Sequence, residues 1–396
     1  MATMIVPSGD VRNAVTVHGA CDDRFSRVRD VLAANLASGA DIGASAAVFI
    51  DGEPVVDIWG GFVDAACTKP WTRDTIVNNF STTKTMTALC ALVLADRREL
   101  DLNARVAKYW PEFAAEGKQD VLVRHLLAHS SGLPGWTEPM TLADILDREK
   151  ATTLLARQAP WWEPGTAVGY HAITFGPLIG EVIRRVTGRT LGQFFAEDIA
   201  GPLGGDYHIG TGPECDNRVS VMIAGTDIRP RSGEGTITDR VFFNPYVTPE
   251  ESGTIEWRRG ELGGSNGHGN ARSVAAIQSV LSAGGDVRGV RLLSRVGCER
   301  VLEPQAEQTD LVCGYPLRWG LGYGLENPFI SSQYRNRPAG RRIAFWGGAG
   351  GSIVVNDFDA RMTVAFVMNR HLEHGGIDQR GIDIVCAAYD SIADGQ

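Results

Sequence analysis

Strand-patterned segments stand at both ends of this chain, and helix-patterned segments fill the middle. That layout constrains the fold more than any other feature. Near the start, Ala44-Ser45-Ala46-Ala47-Val48-Phe49-Ile50 reads as a buried strand. Asp51-Gly52 is a hairpin signal, Val55-Val56-Asp57-Ile58-Trp59 returns, and Gly60-Gly61 breaks the strand. Near the end, Ile343-Ala344-Phe345-Trp346 precedes a glycine cluster. Ser352-Ile353-Val354-Val355 and Met362-Thr363-Val364-Ala365-Phe366-Val367-Met368 form a hairpin pattern joined at Asp357-Phe358-Asp359-Ala360. The expected fold class is α+β, with one antiparallel sheet built from both termini and flanked by helices. The α/β domain takes residues 1-80 together with 270-396. Residues 81-269 make a mainly helical domain with long loops, and a site lies between the two.

Helical periodicity covers 22–38, about 82–97, 121–127, 141–158, 174–187, 271–281 and 377–392. The 174–187 helix ends at Thr187-Gly188, a glycine stop. Residues 205–260 are rich in Gly, Pro, Asp and Arg with weak periodicity, and read as long loops over a cleft. No internal repeat or low-complexity tract interrupts the pattern.

The segment at the start of the second helix carries the chemistry. In Asn79-Phe80-Ser81-Thr82-Thr83-Lys84 a serine and a lysine stand three residues apart, just before Met86, Leu89, Leu92 and Val93. Positions i and i+3 share a helix face, so hydroxyl and amine enter the same space. That suits a nucleophile beside its base. A free lysine titrates near ~10.4, so a base acting at neutral pH needs about 3 units of depression. Burial and the positive end of a helix both act in that direction. The same pattern also fits a surface helix start with a capping serine and a solvated lysine. Composition favours the first reading: only five of the 38 basic residues are lysine, namely Lys69, Lys84, Lys108, Lys118 and Lys150. Arginine stays protonated and cannot serve as a base.

Other function classes fit poorly. A formal charge of −9 and the lack of a basic run argue against nucleic acid. No apolar stretch reaches the ~18 residues of a membrane helix. Met1 to Asp10 has neither a basic nor an apolar signal region, which leads us to expect a cytoplasmic protein. Seven cysteines are scattered without C-x-x-C spacing, which reads as reduced thiols. His371-Leu372-Glu373-His374 lacks a further ligand cluster, and His125 and His129 read as capping or packing residues. No metal and no cofactor is expected. The oligomeric state is not legible in the sequence.

Two further stretches are candidates. Tyr170, in Val168-Gly169-Tyr170-His171-Ala172, lies on a turn before a helix. It fits a proton relay to Ser81, its phenolate favoured beside a lysine cation, and equally a packed helix-start tyrosine. Phe345-Trp346-Gly347-Gly348-Ala349-Gly350-Gly351-Ser352 brings backbone N–H groups to a ligand, or else bends a strand. One such N–H would complete an oxyanion hole with that of Ser81. Gly263-Gly264-Ser265-Asn266-Gly267 matches the G-x-S-x-G nucleophile elbow, with Asp357 or Asp359 and His371 or His374 following in order. That elbow needs a buried strand before it, whereas Glu256-Trp257-Arg258-Arg259-Gly260-Glu261 precedes it here.

Four of these segments together resemble the serine β-lactamase and penicillin-binding-protein superfamily, most closely the family VIII carboxylesterases with their class C β-lactamase-like fold. They are Phe80-Ser81-Thr82-Thr83-Lys84; Val123 to Pro134; Tyr170-His171-Ala172-Ile173-Thr174-Phe175-Gly176; and Trp346 to Ser352. The resemblance implies Ser81 as acylated nucleophile, Lys84 as its base partner and Tyr170 as the Y-x-N tyrosine. It implies an oxyanion hole from the N–H groups of Ser81 and Ala349. Trp346, Gly347, Gly348 and His171 would contact substrate. Ala172 replaces the Y-x-N asparagine, and Trp346-Gly347-Gly348 replaces K-T-G, removing the cation that anchors a β-lactam carboxylate. The implied activity is a serine carboxylesterase acting on a small neutral ester or amide. The alternatives are an acyltransferase using the same acyl-enzyme with an amine or alcohol, a β-lactamase or DD-peptidase-like activity, and a binding module without turnover. The expected partner is a small-molecule acyl substrate.

Overall fold

The computed structural model describes residues 16–225, 233, 235–337, 340–371 and 378–393. Its frame is a nine-stranded antiparallel sheet. In spatial order the strands are Val17–Cys21, Glu53–Gly61, Gly43–Ile50, Met362–Met368, Ile353–Asp357, Ile343–Gly347, Gly324–Leu325, Pro316–Trp319 and Ala306–Thr309. The first and last thirds of the chain meet where Gly43–Ile50 pairs with Met362–Met368, Val48 opposite Val364. Every residue from Gly43 to Phe49 and from Met362 to Met368 is buried. A strand covered on one face alternates, so these continuous apolar runs report helices on both faces. Ala271–Ser282 packs on the two central strands, while Ser26–Ser38 and Gln379–Ala393 pack on each other and on the same sheet. Asp51 and Gly52 adopt the positive φ that a two-residue hairpin turn requires.

The expected helices form, with two corrections. The 141–158 segment divides into Leu142–Leu146 and Arg148–Arg157, because Asp147 leaves helical geometry to cap the second helix through Lys150 N–H at 3.1 Å. The 205–260 segment is not only loop. It contains the strand Tyr207–Ile209 and the helices Ile237–Phe242 and Ile255–Arg259. Four strands of the nine-stranded sheet escape the pattern: Val17–Cys21, Ala306–Thr309, Pro316–Trp319 and Gly324–Leu325. They lie toward the sheet edges, where one wet side blurs the hydrophobic signal. All seven cysteines are free thiols. Among the described residues no helix is long and apolar enough to cross a membrane.

The helix Thr83–Asp96 is buried continuously from Thr83 to Leu94. A helix apolar on all sides belongs in an interior, so its first turn carries Lys84 inward. The helix Phe175–Thr187 packs beside it. Gly176 allows a close approach there: a Cβ at this position would sit 1.3 Å from the Leu262 carbonyl oxygen and 2.7 Å from Gly264 N. Backbone cannot rotate away as a flexible side chain does. Gly176→Ala is therefore expected to destabilise the fold by about 3 kcal/mol, read as a lower urea midpoint; an unchanged midpoint would refute the close approach.

Candidate active site

Ser81 sits where the short strand Val77–Asn78 turns into helix, within the 3-10 turn Phe80–Thr82. Phe80 holds φ 42°, a left-handed conformation that costs about 1–3 kcal/mol in a bulky residue. Its neighbours overdetermine the turn. Asn79 is fully buried; its N–H donates to Gly267 O at 2.8 Å and its amide to Val77 O at 2.9 Å. The Asn79 carbonyl in turn accepts from Ser352 Oγ at 2.9 Å, and Thr82 Oγ1 lies 2.9 Å from the same hydroxyl. The glycine turn after Ile343–Gly347 is thereby fastened to the start of the helix that follows Ser81. Gly348 fits because a Cβ there would lie 2.2 Å from Asn79 O and 3.1 Å from Ser81 N.

Lys84 is buried, and its Nζ lies 3.1 Å from Ser81 Oγ. It also donates to Ala172 O and Gly264 O, each at 2.7 Å. Burial lowers its pKa well below the ordinary lysine value. A neutral amine has two N–H donors. In that form the two carbonyls would take both, leaving the lone pair toward the serine hydroxyl 3.1 Å away.

Tyr170 is buried beside this pair, its ring 4.8 Å from Lys84 Nζ. Its hydroxyl interacts with Ser81 and accepts from Trp346 Nε1 at 3.3 Å. Burial raises the Tyr170 pKa, more than its bonds to Ser81 and Trp346 lower it. This corrects the sequence expectation of a phenolate beside an ammonium. Low dielectric disfavours the charged form of each group, which weighs against that charged pair.

A cavity of about 270 Å³ opens onto Ser81. Tyr170, Ala172, Ser265 and Ala349 share its floor with Ser81, and Val241, Phe242, Tyr246, Val247 and Trp257 are among its apolar walls. The 205–260 segment thus covers the cleft, as its composition suggested. Glu250 is the one acid on the lining, and no lysine or arginine joins it among the described residues.

Several expected substrate contacts are not on that wall. His171 is fully enclosed, its Nε2 2.7 Å from Ser131 Oγ and its Nδ1 2.7 Å from Gly169 O. Burial pushes it down to about 3, so it is a neutral packing group. Trp346 turns its N–H to Tyr170, and Gly347 and Gly348 serve the turn itself, outside the lining. His125 accepts from Leu122 N–H at 3.3 Å as a cap, and His129 packs among Tyr170, Phe175 and Trp319.

Ser265 is no nucleophile elbow. Helix Ile255–Arg259 and coil precede it, and its Oγ donates to Ala172 O at 3.3 Å. Asp357 is engaged by Arg341 and Tyr389, and Asp359 by Arg342. His374 lies outside the described residues. The same glycine cluster does supply the Gly264 carbonyl to Lys84, a role the motif did not disclose. No group of metal-ligating side chains occurs among the described residues.

Comparison with known proteins agrees with this geometry. A family model described as Beta-lactamase matches residues 28–387. The chain is 32% identical to the esterase/beta-lactamase LipL of Mycobacterium tuberculosis, over 93% of this chain and 89% of that protein. It superposes on a family VIII carboxylesterase with a TM-score of 0.88 at 40% identity, covering 95% of this chain and 100% of the other. A penicillin-binding-protein homologue from Caulobacter crescentus gives a TM-score of 0.88 at 36% identity, with the same coverage. Buried amine, serine and glycine turn thus stand in a frame shared almost end to end, and the chain belongs to the beta-lactamase family, within the superfamily of serine β-lactamases and penicillin-binding proteins.

Proposed function

We propose that this enzyme, a serine ester hydrolase or acyltransferase by kinship, is a carboxylesterase that takes small neutral esters through an acyl-enzyme on Ser81. The observation that carries the reading is the buried Lys84 amine, held by two carbonyls with its Nζ 3.1 Å from Ser81 Oγ.

The steps follow from the donors and acceptors. Lys84 Nζ takes the Ser81 proton as Oγ bonds to the ester carbonyl carbon. The oxyanion that forms accepts from the N–H groups of Ser81 and Ala349. Collapse breaks the bond to the leaving oxygen, which takes a proton from Tyr170 Oη, and Lys84 restores that proton to Tyr170. Trp346 N–H steadies the tyrosine oxygen while it is without its proton. Water then attacks the acyl carbon, its proton passing to the same pair, and Ser81 is released. Ser81 is partly exposed, which supports hydrolysis as the outcome.

The lining supports neutral substrates. Its walls are mostly apolar, and its one acid, Glu250, is joined by no lysine or arginine among the described residues. An anionic acyl group would be desolvated there without a cation to receive it. A cytoplasmic location and a small-molecule acyl substrate complete the proposal.

Ser81→Ala is expected to remove turnover and the acyl adduct seen by intact mass after a p-nitrophenyl ester is added, with the melting temperature kept; an adduct persisting on that variant would overturn the assignment. As pH falls through the folded-state pKa of Lys84, the amine gains a proton and the lone pair is lost. kcat/KM should therefore fall on the acid side with one proton, at a midpoint well below the ~10 that an ordinary lysine would dictate. Esters of matched size with neutral and carboxylate-bearing acyl groups should differ at least tenfold in kcat/KM, on the order of 1.4 kcal/mol or more, in favour of the neutral one; equal values would contradict the charge argument.

A further inference from the structure

The turn that presents Tyr170 is held by three successive N–H groups, each with its own acceptor. Gly169 N donates to His129 O and His171 N to His129 Nδ1, both at 3.0 Å. Tyr170 N, between them, donates to Asp310 Oδ1 at 3.0 Å. The two strips of chain are also joined directly, Leu311 N to Val168 O at 2.9 Å.

Asp310 is fully buried and makes no ion pair among the described residues. Four N–H groups converge on its carboxylate instead. Oδ1 accepts from Tyr170, from Val312 at 2.9 Å and from Cys313 at 2.9 Å. Oδ2 accepts from Trp319 Nε1 at 3.2 Å. That indole lies 5° from parallel to the Tyr170 ring, centroids 6.2 Å apart. One side chain therefore fixes both the backbone of Tyr170 and the aromatic surface its ring faces. Burying a carboxylate without a cation is costly, and a turn that needed only closure could be tied by backbone alone. Asp310 does not line the cavity, so it does not touch substrate.

We propose that Asp310 is the positioning residue for Tyr170, holding the phenol oxygen in reach of Ser81 through the Tyr170 N–H and the Trp319 ring. This rests on Tyr170 acting as the proton carrier described above. Loss of an oriented group by even a fraction of an ångström lowers the chemical step while leaving ground-state binding alone.

The test is a double-mutant cycle on the full chain with p-nitrophenyl butyrate. Asp310→Asn keeps the shape, weakens the acceptor toward Tyr170 N–H, and sets an NH₂ donor against the Trp319 N–H. We expect kcat to fall about tenfold or more with KM within about twofold. Added to Tyr170→Phe, the same change should cost nothing further, because the group it positions is already gone. If Asp310→Asn does not fold by circular dichroism, the D310N/W319F pair removes the opposed donor and is carried through the same cycle. A kcat within twofold of wild type overturns the proposal, as does an equal fold-loss in both backgrounds. Tyr170→Phe with wild-type kcat would instead overturn the role of Tyr170 itself, and Asp310 as its positioner with it.

Discussion

Everything at this site depends on keeping one primary amine out of water. Lys84 enters the interior on a helix buried along nearly its whole length, and among the described residues no carboxylate meets it there. An acidic partner would favour the protonated amine. Carbonyl dipoles satisfy the N–H bonds without supplying a charge. The Ala172 and Gly264 oxygens come from segments far apart in sequence, so the geometry of the amine fixes how those segments must pack. Gly176 is the visible consequence, since only a missing Cβ lets Leu262 to Gly264 come close enough.

The same constraint orders the neighbours. Tyr170 cannot be a resting phenolate in such a place, and its oxygen is met by an indole N–H instead of a cation. His129 and His171 are neutral for the same reason, and they act as shaped, hydrogen-bonding aromatics within the layer behind the phenol. The aromatic layer and the apolar cavity wall exclude water from opposite sides.

Much of this was legible in the sequence because it is local. The Ser81–Lys84 spacing, the helix that follows it and the Asp51-Gly52 hairpin each depend on residues within one or two turns of chain. The Gly263–Gly267 cluster was conspicuous for the wrong reason: it matches a nucleophile elbow, but its part is a carbonyl and a close packing surface. Backbone acceptors carry no residue signature. Asp310 was invisible because nothing beside it in sequence marks it, and its partners Tyr170 and Trp319 are gathered only by the fold. His171 was misplaced for a related reason. Adjacency to Tyr170 suggested the cavity, yet successive residues of an extended turn point opposite ways. The division at Asp147 was missed because helix periodicity continues across it, and only the cap geometry interrupts the helix.

The central pairing of the sheet has a consequence for how the enzyme comes into being. Gly43–Ile50 leaves the ribosome long before its partner Met362–Met368 is made. Gly43 N–H even waits for the side chain of Asn369, 326 residues later. The turn beside Ser81 hangs from those same late strands. Such distant pairing is slow to close and exposes apolar strand until it does. Serine and lysine are therefore synthesised long before the frame that makes them a pair, and a nascent or truncated chain carries the motif without the reactivity.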